Sequence, residues 1–213
     1  MKVPSRVFRR VQAEGWLVLA GSLPASDEAS PWIESLLTHA APARPVLWLE
    51  AEAEAIEPSE FLNEVEEQVE APVRVAHVDD PEWENAGLLM VSEGVEVERL
   101  ALPEVSGRLL ACLQSGGTLA AFGSSTAVFG EAFMADPGGP RQGLGWLAAS
   151  IILPEPIPAA DDPAIRAWLR SPEKRLALRL PRASVLALGP DGEVEVWGGA
   201  QPGLTLGPAW SRE

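Results

Sequence analysis

From Trp16 onward the chain alternates short apolar runs with segments whose apolar positions recur at helical spacing. Residues 16–21, 45–50 (PVLWLE), 73–78, 88–91, 118–122 and 150–153 read as strands. Between them, residues 30–39 carry Trp32, Ile33, Leu36 and Leu37, and residues 58–70 place Phe61, Leu62, Val65 and Val69 on one face. Ser30-Pro31 reads as an N-cap followed by proline at the first helical position. A third helix over 104–114 ends at Gly116-Gly117. Runs this apolar are buried on both faces, and strands that alternate with helices predict a mostly parallel sheet covered on each side. Beyond the fifth strand the pattern predicts a helix over 126–133, a loop over 135–142 and a short helix over 163–170. The tail from 176 to 206 reads as short strands joined by turns such as Gly189-Pro190-Asp191-Gly192, which predicts an antiparallel extension. A length of 213 residues suits one α/β domain over 1–213, and a hydrophobic fraction of 46% suffices for its core.

Formal charge is −15, from 31 acidic and 16 basic residues. So acidic a surface repels phosphate backbones and anionic lipid, so no nucleic-acid or membrane partner is expected. A cationic peptide or basic protein is compatible, and ordinary solubility alone accounts for the excess. Glu50, Glu52, Glu54 and Glu57, like Glu64, Glu66, Glu67 and Glu70, read as solvated faces. The single cysteine, Cys112, excludes an internal disulfide and a cysteine-cluster metal site, and its apolar-periodic setting predicts a core thiol. Such cysteine usage fits a reducing cytoplasm. Four basic residues precede an apolar run at 16–20 that is too short for the roughly 7–15 residues of a secretory h-region. No run approaches the roughly 20 apolar residues of a membrane span. Two Lys against 14 Arg, two Asn, no Tyr and 20 Pro fit a thermophile, and a GC-rich genome equally. The eight Trp are scattered, as core and edge packing would have them. Nothing in the pattern indicates an oligomer, and no phosphate-binding loop appears, since Gly138-Gly139-Pro140 joins no strand to a helix.

One stretch carries candidate chemistry. In TLAAFGSSTAVFG an apolar run stops at Gly123-Ser124-Ser125-Thr126-Ala127. A turn of the G-x-S-x-G type at a strand's carboxyl end lifts a serine oxygen out of the sheet and aims a helix N-terminus at it. Ser125 stands at the nucleophile position, although the last glycine is Ala127 and Thr126 is bulky for a tight turn. A plain strand-to-helix turn with Ser124 or Ser125 as N-cap would look the same.

Four segments and the tail together resemble the peptidase family that includes dipeptidase E and cyanophycinase (peptidase S51-like). Residues 15–22 resemble its opening strand and glycine-rich turn, and 88–100 its strand, Gly-Gly-Asn/Asp-Gln loop and helix start. Residues 117–128 resemble the strand and Gly-Thr-Ser-Ala-Gly-Ala turn, and 143–156 (GLGWLAASIILPEP) the segment ending at Gln-His-Phe. LALGPDGEVEVW is similar to the family's last strands. The resemblance implies a class I glutamine amidotransferase-like fold: three-layer α/β, flavodoxin-like, with a mostly parallel sheet and the antiparallel C-terminal extension. It also implies no cofactor and no metal, and a pocket for a small peptide or amino-acid-like ligand near Ser22, Ser92, Ser125 and Glu155.

The same resemblance places the family's histidine at Glu155 and its two oxyanion-loop glycines at Ser92 and Glu93. An acidic side chain opposes a developing oxyanion, although a backbone N–H can still serve. Ser124 and Thr126 complete the set of pocket candidates. A serine without a base is a poor nucleophile. Only His39 and His77 are available. His39 falls at the C-terminal end of a helix, opposite the strand carboxyl ends. The usual strand order 3-2-1-4-5 sets His77 several strands from the fifth, at ~4.8 Å per step, and so out of reach of Ser125. His77 with Asp79 and Asp80 could instead form a metal site or a solvated strand end. Three functions stay open: a peptidase-like protein that has lost efficient hydrolysis, an active peptidase or amidase with Ser125 as nucleophile and Glu155 as base, and a structural or interaction protein.

Overall fold

A computed structural model describes residues 7–24, 29–41, 43–50, 60–78, 80–135, 139–155 and 162–211. The strands are β1 (Leu17–Ala20), β2 (Val46–Glu50), β3 (Arg74–His77), β4 (Leu88–Val91), β5 (Thr118–Phe122), β6 (Gly130–Ala135), β7 (Gly139–Gln142), β8 (Leu147–Pro154), β9 (Leu176–Leu180), β10 (Val185–Leu188), β11 (Val194–Trp197) and β12 (Gly203–Leu206). The helices are α1 (Ala29–His39), α2 (Glu60–Val69), α3 (Val97–Leu100), α4 (Pro103–Gln114) and α5 (Pro163–Leu169).

β1, β2, β4 and β5 are buried at every position, which is why they read as apolar runs rather than alternating ones. With β3 they form the parallel part of a seven-stranded sheet, ordered β11-β10-β1-β5-β4-β2-β3. β10 and β11 continue it antiparallel beyond β1, as the tail predicts. One face packs under α1 and α2 through Trp32, Ile33, Leu36, Phe61 and Val65. The other packs on α4 through Val105, Leu109, Cys112 and Leu113. Each such buried side chain contributes about 1.5–3 kcal/mol relative to exposure. α4 opens on Pro103, where a missing N–H costs nothing. It closes at Gly116, whose φ of +85° is the left-handed C-terminal cap. The N-terminus of α5 is capped by Asp162, which accepts bonds from the N–H groups of Ala164 (2.8 Å) and Ile165 (3.2 Å).

Three sequence expectations change. First, the strand order is not 3-2-1-4-5. Both edges of β1 are taken, by β5 in parallel and by β10 antiparallel, so β2 pairs with β4 instead. Second, no helix runs over 126–133. Residues Gly123–Phe129 form a 3-10 turn and the chain passes at once into β6, because Gly130–Ala135 finds pairing partners in β7 and β8 that outweigh local propensity. Third, part of the expected 135–142 loop is β7, while residues 136–138 lie outside the described set.

The result is a second, five-stranded sheet, β12-β9-β8-β6-β7. β8 lies at its centre, parallel to both β6 and β9. Leu147, Ile152, Leu176, Leu178 and Leu180 from this sheet join the α4-side core of the first. α5 covers its opposite face through Ile165, against Ile151, Leu153 and Ala177.

Candidate functional site

β5 delivers the chain to the carboxyl edge of the sheet. The first residue past it, Gly123, has φ of +55°, the only left-handed residue of the turn. A Cβ there would stand 2.7 Å from Glu93 Cβ and 2.6 Å from its Oε2, so glycine is required both by conformation and by space. Of the 3-10 residues only Ser124 is exposed. Ser125 is fully buried. Its Oγ donates to the Phe122 carbonyl at 2.8 Å, with the Val91 carbonyl at a longer 3.4 Å. Thr126 Oγ1 donates to the Gly123 carbonyl at 2.7 Å. Ser124 Oγ donates to the Glu93 carbonyl at 2.5 Å. All three hydroxyls thus satisfy main-chain acceptors, Ser125 and Thr126 through the local bonding that makes Ser and Thr turn residues and Ser124 across to the segment after β4.

Beside the turn opens a cleft of about 190 Å³, walled by Val97 of α3, Ser124 and Ala127 of the turn, Met134 of β6, and Ile152, Leu153, Pro154 and Glu155 at the end of β8. Of the sequence candidates it brings together Ser124 and Glu155. Ser125 and Thr126 face away into the core. Ser22 Oγ donates to the Leu23 carbonyl at 3.0 Å, at the end of β1 and off the cleft wall. Ser92 is buried, with its N–H on the Leu49 carbonyl. Glu93 packs beside Gly123. Glu155 is exposed and makes no hydrogen bond or ion pair with any described residue. The cleft wall was hidden in the sequence by the expected 126–133 helix: as a helix, that segment would not have carried Met134 to the side of β8.

Both histidines lie away from the turn. The His39 ring stacks between Trp16 (centroids 3.7 Å apart) and Trp197 (5.5 Å), and its Nε2 lies 3.0 Å from Glu195 Oε2. The His39 carbonyl accepts from Thr118 Oγ1 at the start of β5, so this site sits at the amino end of the sheet. His77 ends β3, three strands from β5 in the observed order, or about 14 Å at ~4.8 Å per strand. Its register partner is Glu50, which is buried and accepts from Trp48 Nε1 at 2.6 Å. Asp79, Glu52, Glu54 and Glu57 lie outside the described residues. Among the described residues no three His, Cys, Asp or Glu come together as metal ligands, and no helix is long and apolar enough to cross a membrane. Cys112 is fully buried, and burial pushes its thiol up to about 12 from an ordinary 9.0.

No family model and no curated protein sequence matches this chain. In three dimensions it is similar to a peptidase from an acI-B1 Actinobacterium. The two superpose with a TM-score of 0.63 over 93% of each chain at 18% sequence identity, a likeness that speaks for the fold. The architecture that presents the serine turn and its cleft is therefore a peptidase-like α/β fold.

Proposed function

We propose that this chain is a non-hydrolytic relative of the serine peptidases of the dipeptidase E and cyanophycinase group, which keeps a ligand cleft beside the serine turn. The observation that carries the reading is the Ser125 hydroxyl, fully buried and donating to the Phe122 carbonyl at 2.8 Å. A nucleophile needs an exposed oxygen and a base within hydrogen-bond reach. Ser125 has neither: its neighbours are main-chain carbonyls, and each imidazole belongs to another part of the fold. The left-handed corner of the turn, where a serine would be lifted from the sheet, is occupied by Gly123 and so presents no side chain. The 3-10 turn of seven residues also supplies no long helix dipole toward an oxyanion.

The test is labelling with a fluorophosphonate probe, from acid to mildly alkaline pH, beside a panel of dipeptides. No stoichiometric labelling and no turnover are expected. Labelling lost in Ser125→Ala or Ser124→Ala would sink the reading. A second reading, an active peptidase or amidase with Glu155 as base, has one observation in its favour: Glu155 lines the same cleft as a serine, although that serine is Ser124 and not the expected Ser125. Hydrolysis best at acid pH and abolished by Glu155→Gln would establish it. A purely structural role is weighed against by a cleft that side chains leave open.

A further inference from the structure

We infer that the cleft takes a small aliphatic ammonium ion, with Glu155 as its counter-charge. The inference rests on the reading of the cleft as a ligand site and narrows its ligand. Six of the eight lining residues are aliphatic or thioether side chains (Val97, Ala127, Met134, Ile152, Leu153 and Pro154), so the body of the ligand must be apolar. At about 190 Å³ the space falls below the roughly 300–1,000 Å³ that holds drug-sized molecules, so that body is small.

Two of the described lining residues carry polar side chains. Ser124 already donates its proton to the Glu93 carbonyl and keeps only acceptor capacity toward the cleft. Glu155 is a carboxylate with no partner among the described residues, and it too accepts only. A wall whose two polar groups both accept selects a ligand that donates. An alkylammonium offers three N–H donors and the charge that offsets Glu155. None of the described lining residues is basic, and a carboxylate on the ligand would meet the like charge of Glu155, in a molecule of net charge −15. Zwitterionic amino acids are thereby disfavoured, although an amino-acid-like ligand is among those the overall resemblance implies. A neutral alcohol would fill the apolar part but leave Glu155 partly desolvated without a counter-charge.

The experiment uses the full chain labelled with 15N and three near-isosteric probes: isopentylammonium, 3-methyl-1-butanol and 3-methylbutyrate. Saturable shifts with the ammonium ion are expected at the amides of Ser124, Ala127, Ile152 and Leu153. The alcohol and the carboxylate should bind about tenfold more weakly or not at all. Glu155→Gln should weaken the ammonium ion about tenfold while leaving the alcohol unchanged, and added salt should erode the preference. Glu155 is exposed at a strand end, so the variant keeps its fold, which its own spectrum verifies. Equal binding of ammonium and alcohol, ammonium binding indifferent to Glu155→Gln, or no saturable shift at these amides overturns the inference. Failure here leaves the labelling result untouched, and serine-dependent labelling would overturn the non-hydrolytic reading whatever the amine does.

Discussion

The Ser125 hydroxyl holds the end of β5 to the turn rather than facing a substrate. Ser125→Ala should therefore cost about 1 kcal/mol of stability, since a buried carbonyl loses its donor, whereas Ser124→Ala, at an exposed site, should cost less than half of that. Urea unfolding of the two variants decides the order. Gly123→Ala should cost more, about 1–3 kcal/mol for a left-handed non-glycine residue plus the overlap with Glu93. Adding Glu93→Gly, which removes the obstructing Cβ, should recover part of that loss in a double-mutant cycle. Cys112 gives a pH signature. Its thiol stays protonated in the fold up to about 12, against an ordinary 9.0, so the unfolded chain releases a proton first. The stabilisation is complete below the unfolded value and is lost as pH rises through the window from 9 toward 12, at about 1.4 kcal/mol per pH unit. The stability gap between wild type and Cys112→Ala should narrow over that window, as read from urea midpoints. The core placement of Cys112 was legible from its apolar neighbours. The inward turn of the Ser125 hydroxyl was not, because a serine after a strand looks alike in sequence whether its Oγ meets solvent or a carbonyl.

Between elements, His39 links α1 to β11. Its ring lies between Trp16 and Trp197, while Glu195 Oε2 accepts from Trp197 Nε1 at 3.2 Å and lies 3.0 Å from His39 Nε2. His39→Ala should free β11, the edge strand, without unfolding the parallel core. Hydrogen exchange should accelerate at Glu195, Val196 and Trp197 and stay unchanged in β4 and β5. Uniform acceleration across both would show that the ring matters to the whole core instead. The parallel strands were readable because burial on both faces leaves an uninterrupted apolar run. β6 was misread as helix because FGEAFMA satisfies either period over so short a span. Its strand character comes from β8 and β7, partners that follow it in the chain, and a local pattern holds no trace of them.

At the scale of the whole molecule, the two sheets share a core. Phe129, at the end of the serine turn, packs with its ring tilted against that of Trp146 (centroids 5.2 Å apart), which immediately precedes β8, and both belong to the cluster that reaches Leu19 and Leu49 in the first sheet. Phe129→Ala should therefore cost about 3–5 kcal/mol and lower the stability of both sheets in one transition. Coincident circular dichroism and tryptophan fluorescence curves would show this, and two separated transitions would show that the sheets unfold independently. The alternation of strands and helices made the layered architecture legible. The strand order was not, because it depends on which edge of β1 receives β10, a choice made between segments at opposite ends of the chain. The packing of Glu93 against Gly123 makes the effect of a substitution at one position depend on the residue at the other. Two positions on different segments, one after β4 and one in the 3-10 turn after β5, are coupled through this contact. A serine at 123 collides while glutamate stands at 93, and a glycine at 93 alone leaves a void beside the turn. A side chain thus enters at 123 without collision only once position 93 has changed, so the order of the two substitutions sets the stability of the intermediate.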